Sequence, residues 1–224
     1  MRRRPQAIIF DFDGVIADSE VIANRELARA LTEIGLPTTF EECLERYYGR
    51  NWLACEQRIV AQLGGPLPES FVRNLRGATA ERLERELTPV PGVAAFVDRR
   101  AALPKAIASS SERDYLMACL KRFGLAGHFA EHLYSAALLP RGKPFPDIYQ
   151  SAARGLGVPA GSCLVIEDSP VGVRAGVAAG MTVVGLLAGG HVQDCASHGE
   201  RLAMAGAHFV AASFDEVEQW LEST

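Results

Sequence analysis

Apolar residues along this chain change rhythm twice. Ala7 to Phe10 form a short continuous apolar run that stops at Asp11, the pattern of a buried strand ending in a charged loop. From Asp18 to Gly35 the spacing turns helical, with Val21, Ile22, Leu27, Leu31 and Ile34 recurring at helix-like intervals. Asp18 is a candidate N-cap, and Gly35 with Pro37 is a stop signal. Three more helices are predicted at about 40–47, 51–63 and 68–87, separated by Gly49, Gly64-Gly65-Pro66 and Pro68. No strand is predicted between 18 and 88. Pro89-Val90-Pro91-Gly92 then punctuates the chain.

Beyond that point strands alternate with helices. Strands are predicted at Lys105–Ala108, weakly at 132–135, at Cys163–Ile166, at Thr182–Leu187 and as a short run at His208–Val210. Helices are predicted at about 92–101, 112–123, 146–156, 170–179 and 214–222. This alternation implies an α/β fold, a parallel sheet covered on both faces. The block at 18–88 interrupts it directly after the first strand and reads as an inserted helical domain. The expected division is therefore 1–17 with 89–224 as core and 18–88 as insertion. Residues 191–224 contain no motif with a chemical reading, and His191, after Gly189-Gly190, reads as a surface loop residue.

Composition narrows the function classes. A 48% hydrophobic fraction supports a sizeable core, and 23 basic against 27 acidic residues argue against a nucleic-acid binder with a broad basic surface. No apolar run approaches the ~18 residues that span a bilayer. Met1-Arg2-Arg3-Arg4 is basic enough to open a signal peptide, but only four apolar residues follow, where ~7–15 are needed. Cys43, Cys55, Cys119, Cys163 and Cys195 are odd in number and form no CxxC pair, so they read as buried thiols in a reducing compartment. A cytoplasmic protein is expected.

Four polar clusters are expected at the carboxyl ends of strands: Asp11-Phe12-Asp13-Gly14, Ser109-Ser110-Ser111, Lys143 in GKPFPD, and Glu167-Asp168-Ser169-Pro170. Ligands of open parallel sheets gather beyond the carboxyl ends of strands. Each cluster alone has a plainer reading. DFDG fits an ordinary turn. Ser111 with Asp114 fits a capping-box-like helix start. Lys143 fits a solvated lysine, and Ser169 with Pro170 fits an N-cap and first helical position. Jointly they suggest more. Converging carboxylates from Asp11, Asp13, Glu167 and Asp168 would repel by ~4 kcal/mol per pair at ~4 Å and an effective dielectric near 20. A hard divalent cation such as Mg²⁺ would remove that cost and also bind phosphate oxygens. Of two aspartates one residue apart, one can attack phosphorus and the other can move the proton.

Taken together, DFDGVIADSE at 11–20, IASSS at 107–111, GKPFPDIY at 142–149 and CLVIEDSPVGVRAGVAAGM at 163–181 resemble the haloacid dehalogenase-like superfamily. Within it they resemble the β-phosphoglucomutase-like group of small phosphatases and mutases. The resemblance spans roughly 5–212. It implies a Rossmann-like three-layer core, an inserted helical cap, a Mg²⁺ ion and an aspartyl-phosphate intermediate. Carried over by motif, Asp11 is the nucleophile, Asp13 the acid/base, Ser109 the phosphoryl holder and Lys143 its bridge to Asp11. Asp168 is a metal ligand with Glu167 at or near the metal, and Asp11 and the main-chain carbonyl of Asp13 complete the set. Dehalogenases of the superfamily lack the second aspartate, present here as Asp13. Phosphonatase-type members need a cap lysine, and 18–88 contains none. The mutases carry a histidine where this chain has Ala23, and a cap-loop lysine absent from Tyr48-Gly49-Arg50-Asn51-Trp52.

The resulting expectation is a phosphatase acting on a small phosphate ester, a sugar or sugar-acid phosphate, without nucleic-acid or membrane partners, as a monomer or small homo-oligomer. Glu20, Arg50, Asn51 and Ser110 are candidate substrate contacts. Arg50 could bind a second anionic group, or that loop could be solvated with Trp52 in the cap core. A hexose-phosphate mutase and a non-catalytic phosphate binder on the same fold are the alternatives.

Overall fold

The structure is a computed structural model and describes residues 4–48, 52–129, 131–136 and 139–223. The chain divides into two compact units, Met1–Ala17 with Thr88–Thr224, and Asp18–Leu87.

The inserted unit is helical: α1 (Ser19–Glu33), α2 (Phe40–Tyr47), α3 (Trp52–Leu63) and α4 (Phe71–Glu86). Asp18 holds the N-cap position of α1 but its side chain makes no capping hydrogen bond, whereas Thr39 and Glu42 close a full capping box on α2. The core comprises Leu27, Leu31, Cys43, Tyr47, Cys55, Ile59 and Phe71. Trp52 stacks on Phe71 with ring centroids 6.5 Å apart, so it serves this unit's own packing. Glu26, 2% exposed, receives Arg29 at 2.9 Å and Arg82 at 2.6 Å and so ties α1 to α4. Arg82 is therefore the partner of a buried charge.

The larger unit is built on β1 (Ala7–Phe10), β2 (Lys105–Ser109), β3 (Leu133–Ser135), β4 (Cys163–Glu167), β5 (Thr182–Leu186) and β6 (Phe209–Ala211). Its helices are α5 (Val93–Arg99), α6 (Arg113–Arg122), α7 (Ala126–Phe129), α8 (Asp147–Leu156), α9 (Pro170–Ala178), α10 (Cys195–Met204) and α11 (Phe214–Glu222). The strands lie in the order β3-β2-β1-β4-β5-β6, every neighbouring pair parallel. Both faces of β1 are covered, which is why its run is apolar throughout instead of alternating. Ala7 and Ile9 join a cluster with Ile148, Tyr149, Val165, Val173 and Val183. Phe10 meets Phe96 and Phe129 edge-on at 6.1 and 5.6 Å. Burying each large apolar side chain contributes ~1.5–3 kcal/mol, so the central strands are firmly fixed.

Two helices were not legible in the pattern, α7 and α10. The first has four residues and the second carries little apolar surface beyond Leu202. The short run near the end forms β6 at Phe209–Ala211. Four cysteines are buried as expected, but Cys195, at the start of α10, is exposed. No described helix is long and apolar enough to cross a membrane.

Candidate active site

The strand order reverses its winding between β1 and β4, the place where open α/β sheets form a ligand crevice. Phe10 pairs with Ile166, and the Asp11 amide donates to the Ile166 carbonyl at 3.0 Å. This register brings Asp11 and Glu167 off the two central strands side by side. One carboxylate oxygen each from Asp11, Glu167 and Asp168 lie within 4.8 Å of one another, all three residues buried.

Such a group cannot stay ionised without positive charge nearby. Lys143 supplies some of it. Its Nζ donates to Asp11 Oδ1 at 2.6 Å and to Glu167 Oε1 at 2.8 Å and lies 5.1 Å from the Tyr149 ring centroid. Burial works against the ammonium, but Asp11 and Glu167 overcome it and hold Lys143 well above its usual range. Asp11 is pushed well above the ordinary carboxylate value, first by burial and then by Glu167 and Asp168, with Lys143 pulling the other way. One lysine does not neutralise three carboxylates. The all-oxygen donor set and this residual repulsion fit a hard divalent cation.

Glu167 is held on all sides. Oε1 accepts from Lys143 and from Tyr149 Oη at 3.1 Å, and Oε2 accepts from the Ser169 amide at 2.7 Å and Ser169 Oγ at 2.9 Å. Burial and the Glu167 charge keep the Tyr149 phenol protonated, so it remains a donor. Ser169 also caps α9 through the Gly172 amide, with Pro170 in the first turn, as the EDSP pattern predicts. Gly172 is required by Glu167: a Cβ there would sit 1.5 Å from Glu167 Oε1.

Asp13 faces a different partner set. Ser111 Oγ donates to Asp13 Oδ2 at 2.7 Å, and Ser109 Oγ lies 3.5 Å from the same oxygen while accepting from the Ser111 amide at 3.0 Å. Ser111 is thus a contact of Asp13 and not a helix cap; Glu112 occupies the N-cap position of α6. Gly14 follows at φ +84°, and a Cβ there would fall 1.9 Å from Asp168 Oδ2. Only glycine satisfies both the backbone and the space.

The tail residues supply contacts that the motifs did not reveal. His191 is buried, 4% exposed, and its Nε2 lies 3.1 Å from Asp168 Oδ2, correcting its reading as a surface residue. His198 Nε2 lies 2.6 Å from the Asp168 carbonyl, and Arg201 Nη2 lies 2.9 Å from His198 Nδ1. Burial, then the nearby Arg201 and His191, keep His198 below its ordinary value against the pull of the Asp168 carbonyl.

Of the residues singled out by sequence, Asp11, Asp13, Ser109, Lys143, Glu167 and Asp168 share this strand-end region. The Asp13 carboxylate is not one of the three clustered oxygens. Ser110 is exposed. Glu20 belongs to the helical unit, where its Oε2 accepts from Asn24 Nδ2 at 3.0 Å. Arg50 and Asn51 lie outside the described residues. The sequence patterns alone give Ser111, Tyr149, Gly172, His191, His198 and Arg201 no place in the site. No alternation rule reaches Ser111, because β2 ends at Ser109 and the two serines that follow lie in the loop.

Comparison with known proteins agrees with this geometry. The chain is 27% identical over 181 residues to the 6-phosphogluconate phosphatase of Escherichia coli (strain K12), covering 80% of this chain and 81% of that protein. It is 31% identical over 184 residues to hexitol phosphatase A of the same organism, covering 81% and 82%. Among solved structures, a HAD family hydrolase from Deinococcus radiodurans R1 with bound phosphate and sodium superposes with a TM-score of 0.83 at 33% identity, covering 98% of this chain and 96% of that one. The haloacid dehalogenase-like hydrolase family matches residues 5–180, and with the strand order and carboxylate cluster described above, this chain belongs to that family.

Proposed function

We propose that the chain is a Mg²⁺-dependent phosphatase that hydrolyses a small phosphorylated metabolite, a sugar or sugar-acid phosphate, through phospho-Asp11. The observation that carries this reading is the convergence of the Asp11, Glu167 and Asp168 carboxylates, with Lys143 bridging Asp11 and Glu167 and Asp13 anchored separately by Ser111. The printed activities of the two Escherichia coli relatives support the substrate class.

Asp11, Glu167 and Asp168, with the main-chain carbonyl of Asp13, are the proposed holders of Mg²⁺. When bound, the cation neutralises negative charge on the phosphoryl group and on the carboxylates. Lys143 orients Asp11 through Oδ1 and offers its remaining donor capacity to a phosphoryl oxygen. Ser109, fully buried at the end of β2, donates to another. An Asp11 oxygen forms a bond to phosphorus as the bond to the leaving alkoxide breaks, and Asp13 gives that alkoxide its proton. Asp13 then takes a proton from water, whose oxygen displaces Asp11 from phosphorus. Inorganic phosphate and the free alcohol leave, and both aspartates are restored.

The same reading assigns residues 18–88 as a cap domain and 1–17 with 89–224 as the catalytic core. Glu20, Arg50, Asn51 and Ser110 are proposed contacts for the leaving group, an arginine being suited to the carboxylate of a sugar acid. A cytoplasmic location is supported by the buried thiols Cys43, Cys55, Cys119 and Cys163.

Phosphate release from a panel of sugar and sugar-acid phosphates with Mg²⁺, comparing wild type with Asp11→Asn, tests the proposal. Release by wild type alone supports it. Equal rates in both proteins remove Asp11 as nucleophile, and isomeric sugar phosphate without net phosphate release points to a mutase.

A further inference from the structure

The residues after β5 are the least explained part of the chain. They lie beyond the family match, which ends at 180, yet two of their histidines close on Asp168. We propose that the loop at His191 and helix α10 form a positioning device for the cation site: His191 sets the Asp168 carboxylate, and His198 fixes the Asp168 main chain. This rests on the reading of Asp168 as a cation ligand.

The slot for His191 is built by glycines on both sides. A Cβ at Gly189 would lie 2.6 Å from His191 Cε1, and a Cβ at Gly14 would lie 3.0 Å from the same atom. The imidazole is therefore seated where residues 14 and 189 carry no side chain, with Nε2 at ion-pair distance from Asp168 Oδ2, 3.1 Å, but without the alignment of a hydrogen bond. The carboxylate reaches His191 at the same place, because Oδ2 occupies the space that a side chain at residue 14 would fill.

His198 acts on the backbone. A guanidinium can only donate. With Arg201 Nη2 at 2.9 Å, His198 Nδ1 is the acceptor, so Nε2 carries the hydrogen and donates to the Asp168 carbonyl at 2.6 Å. Arg201, one turn along α10, thereby selects the tautomer that holds Asp168. The two imidazoles stand edge to face, 6.1 Å apart at 87°. Partners that orient ligating carboxylates commonly change metal affinity by ~10–100-fold when removed.

The test is Mg²⁺ titration by calorimetry on wild type, His191→Leu and His191→Gln, with melting temperatures recorded without Mg²⁺. Leucine keeps the volume and loses the polar contact; glutamine restores a polar group that can reach the carboxylate. The expected result is at least a tenfold weaker Mg²⁺ dissociation constant for His191→Leu, with affinity recovered to within about threefold in His191→Gln. The KM for Mg²⁺ should rise in His191→Leu while the KM for the phosphate ester holds. A folded His191→Leu that binds Mg²⁺ like wild type overturns the proposal, as does a glutamine variant that binds no better than the leucine one. Wild-type protein that binds no Mg²⁺ and releases no phosphate overturns the phosphatase reading itself, a different outcome from either.

Discussion

Ser111 Oγ donates to Asp13 Oδ2 across 2.7 Å, joining the loop after β1 to the loop after β2. A hydrogen bond to a charged group contributes ~1.5–3 kcal/mol, enough to fix which way Asp13 points. Ser111→Ala should lower kcat by roughly 10–100-fold with little change in the substrate KM. Ser110→Ala, on the exposed side of the same loop, should stay within about twofold. Steady-state kinetics on the two variants checks this.

Asp11 carries a second consequence. Its folded value lies well above the ordinary 3.8, chiefly through burial. The folded state therefore binds the proton more tightly than the unfolded chain, and stability is lost as pH rises from the ordinary value through the folded one. Asp11→Asn should lower phosphatase activity by ~10³-fold or more, yet melt at a higher temperature than wild type at pH 7.5 without Mg²⁺. That difference should shrink as pH approaches 4. Calorimetric melting across pH checks the sign.

Mg²⁺ should stabilise the wild type. At a hundredfold excess over its dissociation constant the gain is about 2.7 kcal/mol, a rise of roughly 5–10 °C for a chain of this size. Chelation should reverse it. Asp168→Asn should gain far less at the same Mg²⁺ concentration.

His198 lies below its ordinary value of 6.5 because of burial. The unfolded state then binds the extra proton, so this contribution is complete above pH 6.5 and is lost as pH falls from 6.5 through the folded value. His198→Gln should flatten the decline in stability below pH 6.5. Denaturant midpoints from pH 8 to 5 read this out.

Gly172 tests the opposite of helix propensity. Alanine within a helix is favoured over glycine by ~1 kcal/mol, so an exposed site would gain stability. Here the added methyl would sit 1.5 Å from Glu167 Oε1. Displacing that buried carboxylate from Lys143, Tyr149 and Ser169 should cost about 3 kcal/mol or more. Gly172→Ala should melt lower and lose activity.

Much of this molecule is legible in one dimension. Ala7–Phe10 is apolar throughout because both its faces are covered, and the lack of strand signal from 18 to 88 marks the insertion. Asp11, Asp13, Ser109, Lys143, Glu167 and Asp168 stand where strands end, or in the loop before α8, and a motif reading finds them because each lies in a short local pattern. Register and burial set the rest. Which serine turns toward Asp13 depended on how β2 ends beside β1. That Lys143 is shared between Asp11 and Glu167, with Tyr149 beneath it, required α8 to be packed on the sheet. His191 and His198 were invisible because their partner is Asp168, more than twenty residues earlier. No local pattern encodes a contact made only when the chain after β5 folds back over the end of β4.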